Sequence, residues 1–275
     1  MRVQEFDGRV EEALKLPLQE KFPQSPTAHS TCAAEKALGT KYGVAKEAKY
    51  IPVLYKMPSA GTIAQGFKAV IDDLQRDKDE ADKNNRQPER YGKSLVILTS
   101  GLKKTFNELP LDRKPYTLLR QYMSSLINMG APIVASAGNR ANLTTGDVEV
   151  NTVPAWYASG SILPVINVGS ATADGEITGT SRRGDKVSIY ANGYKILCSG
   201  QTQSGTSFTA PQVGGGIAVG MSQTEGPFYE ATHGKQGKEF VKAVRHFIMT
   251  QSSWKRPGGV NMFWNMANDP KYQMN

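Results

Sequence analysis

The segment Gly205-Thr206-Ser207, followed by Pro211, Val213 and Gly215, delivers a hydroxyl to the start of an apolar, glycine-rich helix. That helix is expected to run through Ile217, Ala218, Val219 and Met221. Glycine lets the chain turn sharply without a Cβ clash. A helix N-terminus offers unpaired N–H groups and a positive dipole end to any oxyanion formed beside it. Ser207 therefore suits nucleophilic chemistry, provided that a base takes its proton. Taken alone, a Thr-Ser pair reads first as a helix cap, because Ser and Thr commonly precede apolar helices, and only the surrounding residues shift that reading. The run Gly214-Gly215-Gly216 would cost about 1 kcal/mol per glycine relative to alanine inside a helix, so some neighbour is expected to need close backbone approach there.

Two further segments carry groups that such a nucleophile uses. Ile133-Val134-Ala135-Ser136-Ala137-Gly138-Asn139 is an apolar run, read as a buried parallel strand, that ends in a Gly-Asn turn signal. Alone it is an ordinary strand exit. His29-Ser30-Thr31-Cys32-Ala33-Ala34 precedes Tyr42-Gly43-Val44-Ala45 by an ungapped spacing. A single histidine is more often structural than catalytic, and only its setting can reverse that.

The setting resembles the subtilisin-like serine peptidases (peptidase S8). GTSFTAPQVGG is similar to that family's serine segment at Gly205, Thr206, Ser207, Pro211, Val213 and Gly215, with Thr209, Gln212 and Gly214 as departures. Ala137-Gly138-Asn139 is similar to the family's Ala-Gly-Asn, and the His29 and Tyr42 segments to its His-Gly-Thr-His-x-Ala-Gly and Tyr-Gly-Val-Ala. Ser30, Cys32 and Glu35 depart from that pattern. The resemblance extends from about Glu5 to about Asn268 and is nearest the proteinase K branch, on Asp82-Lys83-Asn84-Asn85-Arg86. It implies Ser207 as nucleophile, His29 as general base and Asn139 as an oxyanion donor. In subtilisin itself, losing that donor costs about 2.7–4 kcal/mol. It also implies a substrate cleft lined by Ser100, Gly101, Ser136, Ala137 and Gly138. Leu102 stands where the family has glycine and is expected to crowd the edge that pairs with substrate. The chain order His, Asn, Ser matches the subtilisin arrangement.

A carboxylate that orients the imidazole is harder to find. Only 28 residues precede His29, and Glu5-Phe6-Asp7-Gly8-Arg9 resembles a stretch that lies after the family's catalytic Asp. Asp7 is the only Asp before His29 and reads as an Asp-Gly turn residue. The expected strand bearing the Asp would then fall before Met1, leaving a chain that is N-terminally incomplete. Its absence would leave neighbouring strands without ladder partners, unless Met1–Phe6 substitutes for it. In subtilisin, removing the Asp lowers kcat about 3 × 10⁴-fold, so the chain as given is expected to be a weak peptidase. A peptide-binding protein without turnover is the alternative.

The elements that must position these groups alternate between strand-like and helix-like patterns, as in a doubly wound sheet. The expectation is an α/β chain with the subtilisin-like three-layer fold, a mostly parallel central sheet flanked by helices. One domain spans 1–275, with a C-terminal tail at 251–275 packed on it. Helices are expected around Ile63–Leu74 and Phe240–Ile248, and a loop with a short strand between Trp254 and Trp264. A length of 275 residues with 39% apolar content is enough for one substantial core.

The net charge of +8 is scattered. Arg76 to Arg90 is interleaved with acids and reads as a solvated helix end, and Lys103-Lys104 and Arg182-Arg183 are short. Neither a nucleic-acid partner nor a membrane is expected; the partner implied is a polypeptide substrate, on a monomeric chain. No apolar run of eighteen and no signal core is present, while the resemblance implies secretion or a vacuolar location for a full-length form. Asn142-Leu143-Thr144 is a sequon relevant only to an exported chain. No metal-ligand spacing is found among His29, His233 and His246, and no cofactor is required; the resemblance implies structural calcium without fixing its ligands. Cys32 and Cys198 make no disulfide framework, and Cys32, one turn from His29, is expected as a buried, inert thiol.

Overall fold

A computed structural model describes residues 6–16, 28–55, 58–103, 114–158, 162–198, 200–255 and 258–264. Met1–Glu5, Lys104 and the end of the expected tail, 265–275, lie outside these. In chain order the elements begin with β1 (Leu14–Lys15), α1 (Ala28–Leu38), β2 (Val53–Leu54), α2 (Ala60–Lys83), β3 (Val96–Leu98) and β4 (Leu102–Lys103). There follow α3 (Lys114–Asn128), β5 (Ile133–Ser136), β6 (Thr152–Val153), β7 (Ile166–Ala171), β8 (Ile189–Asn192), β9 (Ile196–Cys198) and β10 (Gln201–Gln203). The chain continues through α4 (Thr206–Ser222), α5 (Pro227–Thr232), α6 (Gly237–Thr250), β11 (Ser253–Lys255) and β12 (Asn261–Phe263).

Six strands form the central sheet in the order β11-β12-β8-β7-β5-β3, parallel except for the β11–β12 hairpin. A parallel sheet must be covered on both faces, and the alternation along β5 shows how. Ile133 and Ala135 enter a core with Leu74 of α2 and Leu119, Met123 and Leu126 of α3. Val134 enters the opposite core with Ala210, Val213 and Ile217 of α4 and Phe247 of α6. The three-layer α/β expectation therefore holds. Trp254 to Trp264 is a two-stranded hairpin rather than one short strand, and Met262 of β12 pairs with Tyr190 of β8.

The expected crowding around the glycine run is present on several sides of α4. A Cβ on Gly214 would lie 2.5 Å from Ile97 Cδ1 of β3, and one on Gly215 would lie 2.5 Å from the Ala37 carbonyl of α1. Gly216 faces the ring of Phe263, and Gly220 that of Phe228. The helix is enclosed by two strands and two helices, and glycine is what lets all of them approach.

Two expectations need correction. The Arg76–Arg90 region is not simply solvated: Asp77 is 2% exposed and accepts the backbone N–H groups of Glu89, Arg90 and Tyr91. Burial by itself would raise its pKa, but those three N–H bonds outweigh it and hold the carboxyl below its usual range. Cys32 and Cys198 are not thiols but a disulfide, with their Cα atoms 5.3 Å apart. They are 166 residues apart in sequence, and only the packing of β9 on α1 brings them together.

β3 ends the sheet. Its expected neighbour is absent among the described residues, and β1 and β2 form a separate parallel pair, Leu14 with Val53 and Lys15 with Leu54. Ile97 of β3 packs against a small cluster of Phe6, Ala34, Ala37 and Leu38, with Phe6 fully buried.

Candidate active site

Ser207 is the second residue of α4. Gly205 is the N-cap at φ 136°, a region that L side chains rarely adopt, and no side chain caps the helix. The capping alternative for Thr206 and Ser207 therefore fails. Thr206 does something else: its backbone N–H and its hydroxyl both donate to Asn139 Oδ1, each at 2.8 Å, and its hydroxyl accepts the Gly138 N–H at 3.1 Å. A backbone N–H can only donate, so the amide oxygen of Asn139 must face Thr206. The Nδ2 group is thereby turned the other way, and a Cβ on Gly205 would lie 2.8 Å from it.

Ser207 is 6% exposed, and its hydroxyl donates to the Thr99 carbonyl at 3.5 Å. That carbonyl leaves the end of β3 just before Ser100 and Gly101, while Ser136 ends β5 and leads into Ala137, Gly138 and Asn139. The pairing of β3 with β5 and the contacts of α4 with both strands thus gather three expected segments at one end of the sheet.

His29 is the second residue of α1, which packs on α4. Its ring lies 5.2 Å from that of Phe208, the residue after the serine. This cover partly desolvates the imidazole and lowers its pKa from the ordinary 6.5. The hydroxyl of Ser207 and the imidazole are not hydrogen bonded to each other. Among the described residues no carboxylate is paired with His29. Asp7 occupies a turn at φ 44° and accepts a hydrogen bond from Thr40 at 2.9 Å. Thr40 lies past the far end of α1, about 16 Å from His29 at 1.5 Å rise per residue. Asp7 is a turn residue, as its Asp-Gly sequence suggests.

Sequence reasoning missed several parts. Thr206 sits inside the matched serine segment, but its bonds to Asn139 need the two segments in contact. Phe208, Ile196, Cys32 and Cys198 form one buried cluster, so the shelf under His29 is backed by the disulfide. Leu102 pairs with Val153 and Lys103 with Thr152, antiparallel, so a strand of this chain already occupies one side of β4. Among the described residues, no group of three or more His, Cys, Asp or Glu side chains could hold a metal ion. Among the same residues no helix is long and apolar enough to cross a membrane.

A profile of the subtilase family, peptidase S8, matches residues 19–264. The chain belongs to the subtilase family. A subtilisin-like protease of Coccidioides posadasii (strain C735) is 29% identical over 205 residues, covering 72% of this subtilase and 45% of the relative. The chain therefore spans less than half of that curated relative. Among solved structures, a cold-adapted subtilisin-like serine proteinase superposes with a TM-score of 0.68 at 19% identity, covering 96% of this chain and 84% of that one. The prenylagaramide maturation protease PagA superposes at 0.61 with 18% identity, over 95% and 83%. At such identities these structures speak for the fold alone.

Proposed function

We propose that this subtilase is a serine endopeptidase. Ser207 attacks the peptide carbonyl, and His29 takes the hydroxyl proton and returns it to the leaving amine. The observation that carries this reading is the amide of Asn139, fixed by two bonds from Thr206 so that its Nδ2 points away from them. With the Ser207 N–H at the start of α4, it supplies two donors for an oxyanion. Lowered by partial burial, the His29 pKa keeps the ring neutral, as a base must be at neutral pH. Ser100, Gly101, Ser136, Ala137 and Gly138 would line the cleft for an extended polypeptide. This chemistry uses side chains and backbone amides only. A buried disulfide fits an oxidising compartment, which favours a secreted or vacuolar chain.

The test is covalent labelling by a fluorophosphonate, with the adduct located by peptide mass spectrometry. An adduct on Ser207, absent when His29 is replaced by Ala, is the expected outcome; an unmodified Ser207 after prolonged exposure would sink the proposal.

A second reading has its own support. No carboxylate is paired with His29 among the described residues, and without one the imidazole is poorly oriented. A protein that keeps the cleft but binds peptides without turning them over would retain peptide affinity in Ser207→Ala and release no product from any peptide.

A further inference from the structure

We propose that Thr152 blocks the pocket for the residue on the acyl side of the scissile bond, so that the site takes polypeptides with glycine, alanine or serine there. This rests on the peptidase reading above. A carbonyl placed at Ser207 with its oxygen toward Asn139 has its acyl-side substituent beside two segments, Thr99–Gly101 and Ser136–Gly138. They leave the ends of adjacent parallel strands and flank the serine, one through the Thr99 carbonyl and the other through Thr206. Between them a side chain of this chain already stands. A Cβ added to Gly101 would lie 3.1 Å from Thr152 Cβ and 3.2 Å from its Oγ1. One added to Gly138 would lie 3.7 Å from both Cγ2 and Oγ1 of the same threonine. A single threonine thus touches both walls, and the gap is about one small side chain wide.

The floor is also held in place. Thr152 belongs to β6, whose register with β4 is fixed by the pairs Leu102–Val153 and Lys103–Thr152. Arg182 closes the side next to Gly138, with its Cγ 3.3 Å from the added Cβ and its N–H bonded to the Gly138 carbonyl at 2.9 Å. Its guanidinium is 2% exposed and bound to Asp147 at 2.6 Å and to the Asp147 and Glu149 carbonyls. The strand pairing fixes the Thr152 backbone, and Arg182 cannot swing aside without breaking its bonds to Asp147 and Glu149. A phenylalanine or tyrosine needs about 150–250 Å² of cover to gain its full burial energy, and this gap does not provide it.

Two peptidyl diphenyl phosphonates, identical except for Ala or Phe at the phosphonate-bearing residue, test the inference through their second-order labelling rates at Ser207. The alanine reagent should react on the order of tenfold faster or more, the scale at which apolar pockets discriminate size. Thr152→Gly should raise the Phe-to-Ala rate ratio by a similar factor. Thr152→Ala, gentler on the strand, should shift it the same way by less, and Thr152→Val, of equal size, should leave it where it was. Equal rates for the two reagents in the unaltered protein would overturn the proposal, as would a ratio indifferent to all three substitutions. If a small fluorophosphonate labels Ser207 while the peptide reagents do not differ, only the role of Thr152 is lost. If no phosphonate labels Ser207, the peptidase reading falls and takes this inference with it.

Discussion

The two sides of the cleft are built to different standards. On the serine side, Gly205, Thr206, Ser207 and Asn139 are locked by hydrogen bonds between segments that are far apart in sequence, and α4 is enclosed by β3, α1, β12 and α5. On the histidine side, the imidazole lies at the surface with one aromatic neighbour, and α1 is stapled to β9 by a disulfide. Among the described residues the sheet stops at β3. Under the peptidase reading proposed above, the Asn139 amide is held in advance by Thr206, whereas His29 has no carboxylate partner among the described residues. A site in this condition should react with an electrophile that mimics the transition state more readily than it turns over a peptide.

The largest effect that bears on this contrast is at the serine itself. Ser207→Ala should abolish fluorophosphonate labelling and leave the melting temperature nearly unchanged, because a small hydroxyl is replaced by a small apolar group. Gly205→Ala should come next: its Cβ would meet Asn139 Nδ2 at 2.8 Å in a conformation with φ 136°. The labelling rate should fall about a hundredfold or more, the scale set by loss of one oxyanion donor, and an unaffected rate would show that the serine side is not locked as described.

The disulfide tests the other side. Replacing both Cys32 and Cys198 by alanine should remove about 2–5 kcal/mol of stability, read as a lower midpoint in denaturant. Loss of the shelf behind Phe208 should slow labelling by less than Gly205→Ala does. If it slows labelling more, the histidine side is the better ordered of the two.

The smallest effect is in the pH dependence. Burial lowers the His29 pKa below 6.5, so the labelling rate should be at its plateau above that pKa and decline as pH falls through it, with a midpoint under 6.5. The same shift makes the folded state prefer neutral His29. Its contribution to stability is therefore fully present above 6.5 and is lost as pH falls below the unfolded value. Phe208→Ala, which strips the cover from the ring, should move the midpoint, followed by NMR titration of His29, back up toward 6.5.

How much could be read in advance depended on how local each signal was. The helix after Ser207, the buried run Ile133–Ala135 and the Asp7-Gly8 turn are short-range patterns of polarity and backbone freedom, and each appears where its residues suggest. Cys32 and Cys198 looked like separate thiols because nothing local distinguishes a thiol from half of a disulfide. Asp77 looked solvated because its three N–H partners come from a loop twelve to fourteen residues away. Thr152 carried no signal until β6 paired with β4, and Arg182, read only as half of a short basic pair, is buried by its ion pair with Asp147.

By itself the sequence determined which residue types could do chemistry here, and in which order. It also determined that the serine helix had to be approached closely, since the glycines of α4 have no other use. Tertiary structure alone decided that the Asn139 amide faces Thr206, that a disulfide backs the shelf beneath His29, and that a threonine stands between Gly101 and Gly138. The reason is physical: periodicity and turn chemistry act over a few residues, whereas these contacts exist only after parallel strands and their helices have brought distant segments within a few ångströms.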